Sequence, residues 1–133
     1  LMTATDKKWT LDPSAHSASI DALEHAATTF NAARDSVLAK GAPSKAVSSR
    51  TNASLLLVER ALTRPQGLRT RPWFRNLIYA ADEDNGYSNM VFPSINEATR
   101  ADDKQLAQSE MNDLATRFTN ATDALAKATA ALR

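Results

Sequence analysis

The sequence predicts an all-α fold: a bundle of three long helices with a long irregular excursion between the second and the third. Three observations predict it. Alanine is abundant and β-branched residues form no alternating runs, which favours helix over strand. Apolar residues recur at steps of three and four in three separate stretches. Glycine is scarce, with only Gly41, Gly67 and Gly86, and the first two fall where the first two helices must stop. The 133 residues fit one domain, 1–133, and a chain of this length buries roughly two-thirds of its unfolded surface, enough for a core without staples. Leu1 before Met2 reads as a cut or tag scar, so the chain is expected to be a piece excised from a longer one.

The first periodic stretch covers about residues 17–39. Ile20, Leu23, Ala27, Phe30, Val37 and Leu38 follow helical steps, and Arg34 interrupts them once. Asp12-Pro13 supplies a cap and first-turn pair, and Lys7 to Leu11 reads as a tail packed by Trp9. Gly41 and Pro43 end the helix. Ser44 then opens the second helix as its N-cap. Leu55, Val58 and Leu62 form its stripe. Leu56 and Leu57 broaden that stripe, which predicts a helix central to the bundle. It stops before Pro65, because the residue ahead of a proline avoids the helical region.

The third helix carries the clearest pattern. Ala107, Met111, Leu114, Phe118, Ala121, Leu125, Ala128 and Leu132 alternate steps of four and three without a break, a heptad seam. Asp102 and Asp103 at its start and Arg133 at its finish suit the helix dipole.

Residues 65–101 are unlike the rest. Three of the five prolines, both tyrosines, two of the four phenylalanines and one of the two tryptophans lie there, although a bundle needs only a short connection. Connections this long and this aromatic carry function or pack against a partner. Trp73 to Tyr79 reads as a short extended segment and Asn85-Gly86 as a turn. Ser94-Ile95-Asn96-Glu97 matches a capping box opening a short helix.

Much chemistry is excluded. No cysteine is present, which removes thiolate metal sites and a thiol nucleophile. Three scattered glycines cannot build a phosphate cradle. His16 and His25 lie nine apart with no third ligand at metal spacing and read as surface or cap histidines. No serine sits in a nucleophile elbow. Asp82-Glu83-Asp84 lacks calcium-loop spacing and reads as a solvated turn. Arg60, Arg64, Arg69, Arg71 and Arg75, with Trp73 and Phe74 interleaved, resemble a nucleic-acid stripe, but sixteen basic against fifteen acidic residues argue against that partner. Arginines in a connection also pin it by pairing, and Arg71, Arg75 and Tyr79 are expected to do so here. No apolar run nears the ~20 residues of a membrane span, so this domain is expected to make no membrane contact.

Within the excursion several strings resemble one family. They are Leu57-Val58-Glu59-Arg60-Ala61-Leu62, Pro65-Gln66-Gly67-Leu68, Arg71-Pro72-Trp73-Phe74-Arg75-Asn76-Leu77-Ile78-Tyr79-Ala80, Asn85-Gly86-Tyr87 and Phe92-Pro93-Ser94-Ile95. In order and spacing across about residues 52–100 they are similar to the transferrin-receptor-like dimerisation domain. That is the C-terminal helical domain of glutamate carboxypeptidase II and its relatives; the flanking helices agree only in pattern.

The resemblance implies a homodimer, with the helical domain supplying dimer contacts and its long connection folding toward the substrate pocket of a peptidase domain in the same chain. It implies a four-helix bundle whose first helix lies upstream of the part seen here. The two-zinc site of the peptidase members lies in the peptidase domain, so no cofactor and no catalytic residue is expected in this chain. In glutamate-selective members a Lys-Tyr pair in the connection binds the carboxylate of the terminal glutamate. The matching positions are Gly86 and Tyr87, beside Asn85; the tyrosine is kept and the lysine is not.

The resemblance therefore implies a non-catalytic dimerisation domain of a glutamate carboxypeptidase-like zinc metallopeptidase. Its pocket-facing residues would be Asn85, Gly86 and Tyr87. Its excursion would rest on Arg71, Trp73, Arg75, Tyr79, Phe92 and Pro93, and its core and dimer faces on Leu55, Val58, Leu62, Met111, Leu114, Phe118 and Leu125. The alternatives are a dimerisation module of a receptor-like, catalytically inactive homologue, or a free-standing helical adaptor. An exported parent, periplasmic, extracellular or membrane-anchored, is expected from the family.

Overall fold

A computed structural model describes residues 8–133. The expectations for Leu1 and Lys7 fall outside these residues. The elements are α1 (Ser14–Leu38), α2 (Lys45–Ala61), β1 (Tyr79–Ala81), β2 (Asn89–Val91), α3 (Pro93–Arg100) and α4 (Lys104–Ala131). Three long helices and an excursion are present, and the excursion contains a two-stranded antiparallel hairpin.

Local chemistry sets the helix ends. α1 starts three residues earlier than its apolar stripe predicts, because Asp12 caps it: one carboxylate oxygen accepts from both the amide and the hydroxyl of Ser14. Ser44 caps α2 by accepting from the Val47 amide, and Asp103 caps α4 by accepting from the Leu106 amide at 2.9 Å. The capping box expected at Ser94 does not form. α3 begins one residue sooner, with Pro93 at its first position, and the Glu97 carboxylate is engaged elsewhere, by Thr70 and Arg71.

α4 is the central helix, not α2. α1, α2 and α3 all pack along it, whereas the backbones of α1 and α2 stay apart and these two helices meet only through side chains such as those around Phe30. α1 runs parallel to α4: the Asp12 amide donates to Gln108 at one end, and Ala33 to Lys40 share a concavity with Leu132 and Arg133 at the other. α2 returns antiparallel, placing Leu55 and Val58 beside Phe30 and Leu125. The unbroken seam of α4 explains its position, since Ala107, Leu114, Phe118, Ala121, Leu125 and Ala128 are all buried. Leu56 and Leu57, which predicted a central α2, instead face outward at 59% and 47% exposure. They lie off the Leu55–Val58–Leu62 stripe, and nothing covers them among the described residues.

Two apolar clusters make the core. The lower one joins Phe30, Leu125 and Ala128. The upper one joins Leu68, Leu77, Ala80, Ile95, Leu114 and Phe118, so four of its six members come from the excursion. The connection is thus part of the core, and its burial stabilises it by roughly 1.5–3 kcal/mol per large apolar side chain. At the N-terminal end, Leu11 packs on the same cluster and the Trp9 indole donates to Asp102 at 3.0 Å.

Candidate functional site

The excursion leaves α2 through a tight reversal. The Arg64 amide donates to the Arg75 carbonyl at 2.8 Å and the Leu77 amide to the Leu62 carbonyl at 3.2 Å, around a bridge between Thr63 and Asn76. Gly67 sits inside this loop at a φ of +68°, and a Cβ there would lie 2.0 Å from the Pro72 carbonyl oxygen. Only glycine fits, on both conformational and steric grounds.

Arginines lock the loop to the helices. Arg64 donates to the Gly67 carbonyl, to Glu110 at 2.7 Å and to Asp113 at 3.3 Å, both on α4. Arg117 of α4 donates back to the Thr63 carbonyl at 2.7 Å. Arg71 places two nitrogens on one Glu97 oxygen, at 2.6 and 3.1 Å, and a third on the Ala81 carbonyl at 2.6 Å, with its guanidinium over the Phe74 ring. Thr70 completes the set by donating to the other Glu97 oxygen at 2.8 Å. Arg71 and Glu97 are nearly buried, so each charge depends on the other. The expectation that Arg75 and Tyr79 also pin the excursion does not hold for their side chains. Both are exposed and neither makes an ion pair or side-chain hydrogen bond among the described residues.

The hairpin rises from this base. Ala80 and Met90 face inward and are buried, while Tyr79 and Val91, directly opposite each other, face outward. The extended segment expected over Trp73 to Tyr79 lies further along, at Tyr79–Ala81, because Asn76 accepts from the Ile78 and Tyr79 amides and turns the chain there. At the tip, Asp82 accepts from the Asp84 and Asn85 amides, and Asn85 accepts from the Tyr87 amide and from Ser88. Arg100 at the end of α3 grips this loop, with Asp82 at 2.7 Å and Asp84 at 3.1 Å. The Arg100 guanidinium, helped by the Asp84 amide, holds the Asp82 carboxyl well below the usual carboxylate range. The same contact raises Arg100. Asp82-Glu83-Asp84 is therefore a paired loop rather than a merely solvated one.

The side chains singled out in the sequence fall into three places. Asn85, Gly86 and Tyr87 form the tip, with Tyr87 wholly in solvent. Trp73, 70% exposed, stands at the base, while Phe92 is half-buried and Pro93 fully buried where the hairpin meets α3. Leu55, Val58, Leu62, Met111, Leu114, Phe118 and Leu125 all pack into the two core clusters. Among the helix residues that the sequence assigns to apolar stripes, Leu38 at the end of α1 and Leu56 and Leu57 on α2 remain exposed. Glu97, Arg100 and Asp82 carry much of the excursion's geometry, and no motif names their partners: the capping box at Glu97 and the turn at Asp82 are local signals, whereas each residue finds its partner through the folded topology. Among the described residues, no group of three or more His, Cys, Asp or Glu side chains is placed to hold a metal ion. No helix among them is long and apolar enough to cross a membrane.

An arginine-locked aromatic excursion inserted between helices of a bundle is a specific arrangement, and the comparison with known families decides its identity. The model of the transferrin receptor-like dimerisation domain matches residues 11–126. The chain belongs to that family. A stretch of 47 residues is 40% identical to a protein named as a probable glutamate carboxypeptidase from Arabidopsis thaliana. A stretch of the same length is 43% identical to one so named from Zea mays. Each match covers 35% of this chain and 7% of the relative, so the aligned part is a small share of either curated protein.

Proposed function

We propose that this dimerisation domain joins two copies of a glutamate carboxypeptidase-like zinc metallopeptidase and lends its hairpin to the parent's substrate pocket. The observation that carries the reading is Tyr87. Its whole side chain stands in solvent at the tip of a hairpin whose base is fixed by Arg71 and whose loop is fixed by Arg100. Holding an aromatic hydroxyl outward on a braced arm is of use only if another surface receives it. In this reading the receiver is the peptidase domain of the same chain, which also holds the zinc, and Tyr87 donates to a substrate carboxylate there. Gly86 brings no cation to the tip, so strict selectivity for a terminal glutamate is not expected. The second copy covers Leu56 and Leu57, whose outward position supports an isologous contact along α2. The parent is exported.

Two measurements test this. Sedimentation of the 133-residue chain is expected to give a dimer, and Leu56→Glu with Leu57→Glu a folded monomer; a monomeric wild type or an unaffected dimer contradicts the contact. In the parent, Tyr87→Phe is expected to raise KM for substrates with a free terminal carboxylate several-fold at little cost in kcat. An unchanged KM removes Tyr87 from the pocket.

A further inference from the structure

His16, expected at the surface, is the third residue of α1 and only 8% exposed. Among the described residues neither Nδ1 nor Nε2 has a hydrogen-bond partner. The imidazole is enclosed by rings from two other parts of the fold. Phe92 meets it edge-on at 5.1 Å and Phe118 of α4 lies tilted at 5.6 Å, while the two phenylalanines meet each other edge-on at 6.4 Å. An apolar residue would fill this space without leaving a donor and an acceptor unmade.

Phe92 is the joint between the hairpin and α3. Its amide donates to the Ile78 carbonyl at 2.8 Å, and its carbonyl accepts from the Ile95 and Asn96 amides. Its φ of +48° is left-handed, a conformation strained for phenylalanine and held only by its surroundings. Pro93 behind it disfavours the right-handed alternative.

We propose that His16 is an acid-sensitive latch: the neutral imidazole clamps the first turn of α1 onto Phe92 and Phe118, and its protonation releases that turn and loosens the hairpin joint. Protonation adds a charge and a second buried N–H with no acceptor, and the N-terminal turn of α1 repels a cation. Among the described residues no carboxylate pairs with the imidazole. On the α1 side Asp12 is turned to Ser14 and Asp21 is exposed. On α3 Glu97 is held by Arg71 and Arg100 by Asp82, and on α4 Asp113 is held by Arg64 and Arg117. Desolvation alone pushes the His16 pKa below its ordinary value.

The sign follows from the unfolded chain, whose histidine titrates near ~6.5. Above that value His16 is neutral in both states and adds no pH dependence. As pH falls below it the unfolded state takes up the proton first, so stability declines until the folded-state value is passed. Each unit of depression lowers the folding equilibrium constant about tenfold.

The test follows the His16 imidazole by NMR from pH 8 to 4.5 in the 133-residue chain. It is expected to titrate below the ordinary histidine value of about 6.5, and the amide protection factor of Phe92 to fall as it does so. The melting temperature is expected to drop between about pH 7 and 5, above the ordinary carboxylate range, and His16→Phe to flatten that slope and keep Phe92 protected. His16 titrating at or above the ordinary histidine value, or an unchanged slope in His16→Phe, overturns the proposal. If His16→Phe does not fold, the wild-type titration and the Phe92 protection factor decide alone.

Discussion

The helical frame and the excursion are held by different physics. Along α1, α2 and α4 the contacts are apolar and periodic, and the lower cluster around Phe30, Leu125 and Ala128 has no ion pair within it. The excursion shares the upper cluster but gains its shape from directional bonds: Arg64 to Glu110, Arg71 to Glu97 and to the Ala81 carbonyl, and Arg100 to Asp82. Apolar packing tolerates exchange of similar volumes, whereas a buried guanidinium accepts one geometry. The difference teaches that the frame provides stability and the arginine contacts provide placement, so that the hairpin tip is held at a fixed position relative to α4.

Substitutions separate the two regions. The largest loss is expected at their shared residue: Leu114→Ala, at a fully buried site, costs about 4 kcal/mol in denaturant unfolding and weakens both parts together. Glu97→Gln leaves Arg71 nearly buried without its carboxylate and costs about 3 kcal/mol. Its amide exchange is expected to rise over the hairpin and α3 while the Phe30–Leu125 end stays protected; equal loosening at both ends would erase the distinction drawn above. Gly67→Ala drives a methyl into the Pro72 carbonyl at a left-handed φ and costs about 2 kcal/mol, with damage centred on residues 63–77. The smallest effect belongs to Asp82→Asn. It frees the 82–88 loop without touching the core, so global melting stays near the wild type while exchange at the Ser88 and Asn85 amides rises. Because Arg100 holds the Asp82 carboxyl below its ordinary value, the contact contributes fully to stability above about pH 4, contributes less as pH falls below that, and breaks only when the lower folded-state value is passed. Acidification well below the ordinary carboxylate range is expected to mimic the substitution.

The legible and illegible parts of the sequence divide along the same line. The seam of α4 could be read because eight apolar residues repeat over more than three heptads, and Gly41, Ser44 and Asn85-Gly86 act through local backbone chemistry alone. The hairpin strands are three residues each, too short for an alternation to show. Ser94 to Glu97 has the letters of a capping box, yet a nearly buried arginine from 26 residues away claims the glutamate. Leu56 and Leu57 look like core because composition does not say which face of α2 meets α4. His16 reads as a surface residue because its enclosure by Phe92 and Phe118 exists only after three separate segments meet.

The central claim is that the excursion is built and braced by this chain itself, ready to meet a partner, and not shaped by the partner on contact. Amide hydrogen exchange at Asp82 and Phe92, whose N–H groups bond to the Ser88 and Ile78 carbonyls at the two ends of the hairpin, measures it most directly. Protection of both amides in the isolated chain, with loss of both on Glu97→Gln, is the expected result; exchange at unprotected rates in the wild type, beside protected amides in α1 and α4, would contradict it.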